Sequence, residues 1–251
     1  MTKIMKFSAL LIAAALAFLP LSVRADDPKV VLELFTSQGC SSCPSADAYL
    51  GELAATRDDV VALSFHVDYW NYIGWEDRFA TEETTTRQRD YGRALGIAYI
   101  YTPQLVIDGR RHVVGSNKGA VKKAISVSKA AKSKRVPVAL STSSSGRVTV
   151  KIGESSGYYG DATIWLISVD REHTTTVDAG ENRGRTLVNY NVVRGFRSIG
   201  RWAGSAMTLN LGPDELASAA KGMGDGCAVL VQANRGKGRI LGADIVWLDE
   251  S

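Results

Sequence analysis

Val30-Val31-Leu32-Glu33-Leu34-Phe35-Thr36-Ser37-Gln38-Gly39-Cys40-Ser41-Ser42-Cys43-Pro44 holds the two signals on which the architecture of this chain turns. The first six residues are almost continuously apolar, the pattern of a strand buried on both faces. Two cysteines spaced by two residues follow, and Ser45 to Ala55 then reads as a helix with Pro44 in its first turn, where a missing N–H costs little. A thiol at a helix N-terminus meets unpaired N–H groups and about half a positive charge, which favours thiolate over thiol. This placement casts Cys40 as an exposed attacking nucleophile and Cys43, one turn in, as the shielded resolving thiol. Three other uses of the pair stay open: a passive disulfide, half of a zinc site, or a Cu(I) site drawing on Cys40, Cys43 and His66 or Asp68.

Working outward, strand and helix alternate. Val60 to Val67 reads as a second strand and Glu82 to Leu95 as a helix stopped by Gly96. Thr102 to Gly109 reads as a strand ending in an Asp-Gly turn, Arg111 to Val114 as its hairpin partner, and Lys118 to Ala131 as a closing helix. This βαβ…ββα order predicts an α/β unit over residues 28–132, a mixed sheet flanked by helices. After Pro137 the texture changes to short strand-like runs: Val138–Thr142, Arg147–Ile152, Ala162–Val169, Thr186–Val193, Met207–Leu211, Cys227–Gln232 and Arg239–Trp247. Turn residues separate most of them, which predicts an all-β, sandwich-like unit over 137–251.

The N-terminus reads as an address label. Lys3 and Lys6 precede an apolar run from Ser8 to Leu21, and Val23-Arg24-Ala25 offers small residues at a cleavable spacing, giving a signal peptide over 1–25. The run is short of the roughly 20 residues a membrane span needs. Of the 30 Lys and Arg, Lys3, Lys6 and Arg24 lie in this leader, leaving 27 against 26 Asp and Glu. So balanced a mature chain calls for neither nucleic acid nor, after cleavage, a membrane surface. Three cysteines are too few for a disulfide-stapled scaffold. In a periplasmic or secreted protein the close pair reads instead as reactive.

The Cys40–Pro44 segment, taken with Tyr101-Thr102-Pro103-Gln104-Leu105-Val106-Ile107-Asp108-Gly109, resembles the thioredoxin/glutaredoxin superfamily. The resemblance implies that Pro103 is the cis-proline opposing the cysteines, with Thr102 presenting backbone to a substrate. It also aligns Glu33, seven residues before Cys40, with the buried acid that relays a proton to the resolving thiol; a sheet-edge or salt-bridged Glu is the other reading. Phe65-His66-Val67-Asp68-Tyr69-Trp70-Asn71-Tyr72-Ile73-Gly74-Trp75, Thr86-Arg87-Gln88 and Gly180 to Arg194 are similar to an uncharacterised family of secreted thioredoxin-like proteins. That likeness spans most of the mature chain and implies a fold and a redox site, but no substrate. Ser41-Ser42 departs from the Gly-Pro, Pro-Tyr, Pro-His or Gly-His of studied relatives. With no histidine between the cysteines, a moderately lowered Cys40 pKa is expected, and no extreme oxidant.

His66, Asp68, Trp70 and Trp75 are candidates for a substrate groove beside the cysteines, or plain loop packing. Gly180–Arg194 reads as a turn and a solvated strand, His112 and His173 as surface residues. Cys227 reads as a buried inert thiol or a third redox partner. The resulting expectation is a periplasmic or secreted thiol–disulfide oxidoreductase serving a protein or small-thiol partner. It needs no cofactor beyond the Cys40–Cys43 disulfide itself. The alternative is a non-enzymatic Cu(I)-binding module on the same dithiol.

Overall fold

A computed structural model of the chain describes residues 28–131, 135–155, 160–219 and 224–248. The leader expected over 1–25 lies outside the described residues. None of the described helices is long and apolar enough to cross a membrane.

Strand β1 (Val30–Thr36) enters helix α1 (Pro44–Thr56), and β2 (Val60–His66) returns parallel to β1. Helix α2 (Glu82–Ala94) begins at Thr81, whose hydroxyl accepts from the Thr84 N–H. Two of the four orphan N–H groups at a helix start are commonly met by such reciprocal caps. Strands β3 (Gln104–Ile107) and β4 (Arg111–Val114) form a hairpin beside β1, and α3 (Lys118–Ala130) follows. Asp108 at the hairpin turn takes φ 50°, as its Asp-Gly sequence anticipates.

The strands after residue 137 do not form the self-contained sandwich expected there. β7 (Ala162–Thr176), β8 (Thr186–Trp202), β10 (Gly226–Gln232) and β11 (Ile240–Trp247) extend the first sheet, giving eight strands in the order β11-β10-β7-β8-β2-β1-β3-β4. β5 (Val138–Thr142), β6 (Val148–Ile152) and β9 (Met207–Leu211) form a separate three-stranded antiparallel sheet in the order β5-β6-β9. The molecule is thus a mixed α/β fold with one large mixed sheet and one small antiparallel sheet. The physical reason lies in β2. All seven of its residues are buried, and so apolar a strand cannot remain a sheet edge. β8 covers that edge by parallel pairing at Ser64 and Val192, and Asn191 Nδ2 donates to the Ala62 carbonyl at 2.9 Å.

Three apolar clusters follow from strand alternation. Val30, Leu32 and Leu34 face α1 and α3, where Tyr49, Leu50, Val121 and Ile125 pack. Val31, Phe35, Leu63 and Phe65 face the other way, toward Tyr91 of α2 and Ile167, Val193 and Leu230. Ile164, Leu166 and Val229 pack against Val148, Val150 and Leu211 of the small sheet.

Candidate functional site

The β1–α1 turn is where sequence and structure meet most closely. Ser37 O accepts from the Cys40 N–H at 3.2 Å, Cys40 O from the Cys43 N–H at 3.2 Å, and Cys43 O from the Ala46 N–H at 2.8 Å, so the turn winds directly into the helix. Cys40 and Cys43 are disulfide-bonded, with their Cα atoms 5.4 Å apart. The Thr102–Pro103 peptide is cis. Thr102 Oγ1 donates to Cys40 Sγ at 3.2 Å and itself accepts from Trp70 Nε1 at 2.8 Å. Ser42 Oγ lies 3.3 Å from the same sulfur. Two hydroxyls therefore stand ready to stabilise a thiolate at Cys40.

The expectation of an exposed Cys40 needs correcting. Cys40 is only 1 % exposed, while Ser41 and Ser42 face solvent. Ile73 of the 3₁₀ turn Asn71–Ile73 packs against the neighbouring Gly39, and the tip of the β7–β8 hairpin, a turn and solvated strand by sequence pattern, reaches the Cys40 backbone. Asn182 Nδ2 donates to the carbonyls of both Gln38 and Cys40 at 2.9 Å, and Glu181 accepts from the Ser41 N–H at 3.0 Å. Glu181 is pulled below its ordinary pKa by these Ser41 contacts. Gly180 (φ 73°) lets this tip approach closely: a Cβ there would meet Ile73 Cδ1 at 3.0 Å.

The groove candidates divide. Trp70 and Trp75 do flank the cysteine loop, through Thr102 and through a 3.2 Å bond from Trp75 Nε1 to Gln38 Oε1. Asp68 instead clips the strand end to α2 through Thr85, at 2.6 Å. His66 is fully buried, with Nδ1 2.6 Å from Asp77. Burial works against charge on both, yet Asp77 raises the His66 pKa and His66 lowers that of Asp77. Asp77 also accepts from the Gln38 N–H at 2.8 Å, tying the pair to the cysteine loop. Among the described residues no three His, Cys, Asp or Glu converge to hold a metal, so the alternative set Cys40, Cys43 and His66 is not assembled.

Glu33 is fully buried but engaged. Arg87 pairs with it at 2.7 Å and the Tyr91 hydroxyl donates to it. It projects with Val31 and Phe35, on the sheet face away from α1. The salt-bridged reading therefore holds for Glu33.

The acid that sequence reading missed is Asp47. It lies one helical turn after Cys43 on α1, and residues four apart share a helix face. Burial raises its carboxyl to about 7, with His66 and the nearby Thr36 hydroxyl drawing it down only in part. Asp47 Oδ1, Thr36 Oγ1, Ser64 Oγ and His66 Nε2 are all buried without a hydrogen-bond partner among the described residues. An aspartate in a first helical turn ordinarily reads as a solvated dipole partner. The i, i+4 spacing from Cys43 was the available signal.

Cys227 is buried in the core beneath the small sheet, and burial pushes its thiol up to about 12, an inert state.

Among curated proteins none matches this chain. A crystal structure of protein AGR_C_4864 from Agrobacterium tumefaciens superposes with a TM-score of 0.77 at 36% identity, covering 90% of this chain and 97% of that one. HBP35 of Porphyromonas gingivalis shares the fold at a TM-score of 0.57 and 14% identity, over 90% of this chain and 76% of that one. The family described as "Protein of unknown function (DUF1223)" matches residues 31–232, and this chain belongs to that family.

Proposed function

We propose that this protein is a thioredoxin-like thiol–disulfide oxidoreductase of the periplasm or extracellular space, working through Cys40 and Cys43. The observation that carries the reading is the placement of the Cys40–Cys43 disulfide at the start of α1, with the Thr102 hydroxyl donating to Cys40 Sγ. The β2-β1-β3-β4 order and the cis Thr102–Pro103 peptide support the thioredoxin-like assignment.

The chemistry is a two-electron exchange. A substrate thiolate attacks Cys40 Sγ, forming a mixed disulfide while the Cys40–Cys43 bond breaks and its electron pair leaves on Cys43. The protonated Asp47 carboxyl, one turn below, supplies a proton to that thiolate. A second substrate thiolate then attacks the mixed disulfide at the substrate sulfur. Cys40 leaves as a thiolate held by the Thr102 and Ser42 hydroxyls, and the substrate departs oxidised. The reverse sequence reduces a substrate disulfide. In that direction Asp47, with a pKa near 7, accepts the Cys43 proton. Serines between the cysteines supply no fixed positive charge, which favours a moderate reduction potential.

The test uses Cys43→Ser, which removes the resolving thiol. Incubated with oxidised glutathione, the variant should accumulate one glutathione per chain on Cys40, read by intact mass and peptide mapping. A Cys43→Ser protein that gains no glutathione, or gains it on Cys227, would sink the proposal.

A further inference from the structure

On the face of the large sheet opposite α1 lies a second site with no part in the thiol chemistry. A cavity of about 350 Å³ opens between α2 and the 233–238 turn, with Arg87, Tyr91, Trp165 and Phe196 in its walls and Arg235 and Lys237 at its rim. That volume is at the low end of small-molecule sites, which run from about 300 to 1,000 Å³.

The interior is built from aromatic rings around one cation. The Arg87 guanidinium lies 5.2 to 5.8 Å from the ring centroids of Tyr91, Phe65, Phe196 and Trp165. Its Nε is bound to Glu33, and its Nη2 to the Tyr91 hydroxyl and Gln232 Oε1. Nη1 has no acceptor among the described residues. Trp165 Nε1 also lacks one, but it is sealed against Gly236 and offers nothing to a ligand. Nη1 is therefore the donor left for a ligand acceptor, since the polar groups of a mostly buried side chain are ordinarily hydrogen-bonded. The acceptors nearby are spent: Glu33 serves Arg87 and Tyr91, and Gln232 Oε1 serves Arg87. A ligand would therefore find a donor and rings at depth, with the Glu83 and Asp90 carboxylates at the rim.

The rim is backbone held in an unusual conformation. Asn234, Arg235 and Gly236 take φ of 54°, 56° and 82° in succession. Non-glycine residues adopt this left-handed region at a cost, and such positions concentrate at functional sites. Gly236 is required there, since a Cβ would lie 2.6 Å from the Trp165 ring. Both rim cations stand beside carboxylates. Lys237 Nζ stands 3.7 Å from Asp90, and Arg235 Nε 3.8 Å from Asp161, with Glu83 also at the mouth. Net charge thus does not select the ligand; the hydrogen-bond pattern and the rings do.

We infer that this cavity binds a small planar aromatic molecule bearing a carbonyl or carboxylate oxygen, the ring stacked among Tyr91, Trp165 and Phe196 and the oxygen accepting from Arg87 Nη1. The test is calorimetric titration of the full-length protein with benzoate, benzamide and benzylamine, alongside the Trp165 indole N–H resonance. Benzoate and benzamide should bind saturably and shift that resonance, and benzylamine, which has no acceptor oxygen, should not. Which of the first two binds tighter separates an anionic from a neutral natural ligand. Arg87→Lys should weaken binding about tenfold, the effect of losing one hydrogen bond to a buried group, and Trp165→Ala should weaken it several-fold by removing a stacked ring. If Arg87→Lys fails to fold, Trp165→Ala decides alone. Absence of saturable binding by both oxygen-bearing probes, equal binding of benzylamine, or undiminished binding by a folded Trp165→Ala protein would overturn the inference.

Discussion

One helical turn separates Cys43 from Asp47, and burial of that carboxyl has a consequence for stability as well as for proton transfer. In the unfolded chain Asp47 titrates near 3.8, in the fold near 7. Below both values it is protonated in either state and costs nothing. As pH rises from about 4 to 7 the unfolded state releases the proton first, so stability falls across that window and stays reduced above it. Asp47→Asn should therefore raise the melting temperature at pH 8, by a gain of a few kcal/mol in order of magnitude, and change it little at pH 4. Thermal unfolding at the two pH values checks this. Glu33→Gln should behave oppositely. It strips the partner from buried Arg87, at about 3–5 kcal/mol in urea unfolding, and leaves the exchange rate at Cys40 unaltered. At this scale Cys40, Cys43, Thr102 and Pro103 could be read from spacing and resemblance. Glu33 and Asp47 could not be told apart, because which carboxylate finds a cation is decided by the sheet face it projects from. Arg87, 54 residues from Glu33, is invisible to local pattern.

Among the elements, the β7–β8 hairpin departs furthest from its reading. Sequence pattern ended these strands at Val169 and Val193; in the fold they run to Thr176 and Trp202. The missed part of β7, from Asp170 to Thr176, alternates between half-buried and exposed residues, a weak strand signal rich in polar side chains. That extension carries the hairpin tip to the cysteine turn, where Asn182 grips two carbonyls. Asn182→Ala should loosen the cover over Cys40 and speed reduction of the disulfide by dithiothreitol several-fold, measured by quenched alkylation. An unchanged rate would mean that the hairpin tip does not limit access. Helices α1, α2 and α3 were easier to place, each falling within a residue of its expected ends, and in the fold Thr81 and Asn117 cap the starts of two of them through their side chains.

At the scale of the whole molecule, the sheet joins what the sequence texture divides. The change after Pro137 is real: it marks the passage to antiparallel pairing, with β7, β8, β10 and β11 extending the first sheet and β5, β6 and β9 forming a second one over an apolar cluster of their own half of the chain. Strand pairing across more than a hundred residues leaves no local trace beyond the completely buried β2, which demanded a second neighbour. A fragment ending at residue 131 would expose the β2 edge and the apolar face carrying Leu63 and Phe65. Such a fragment should show neither a cooperative thermal transition nor dispersed amide resonances, whereas the chain from residue 28 onward should show both. The same continuity explains how a hairpin from the second half of the chain comes to cover a cysteine pair from the first.

The central claim is that Cys40 and Cys43 carry the chemistry, and the rate of catalysed thiol–disulfide exchange tests it most directly. Reduction of a disulfide-bonded peptide by glutathione is followed with wild type, Cys40→Ser and Cys227→Ser proteins. The account predicts catalysis by the wild type, equal catalysis by Cys227→Ser, and a Cys40→Ser rate that falls to the uncatalysed background. A wild-type rate no faster than background, or a Cys40→Ser protein that still turns over, would contradict it.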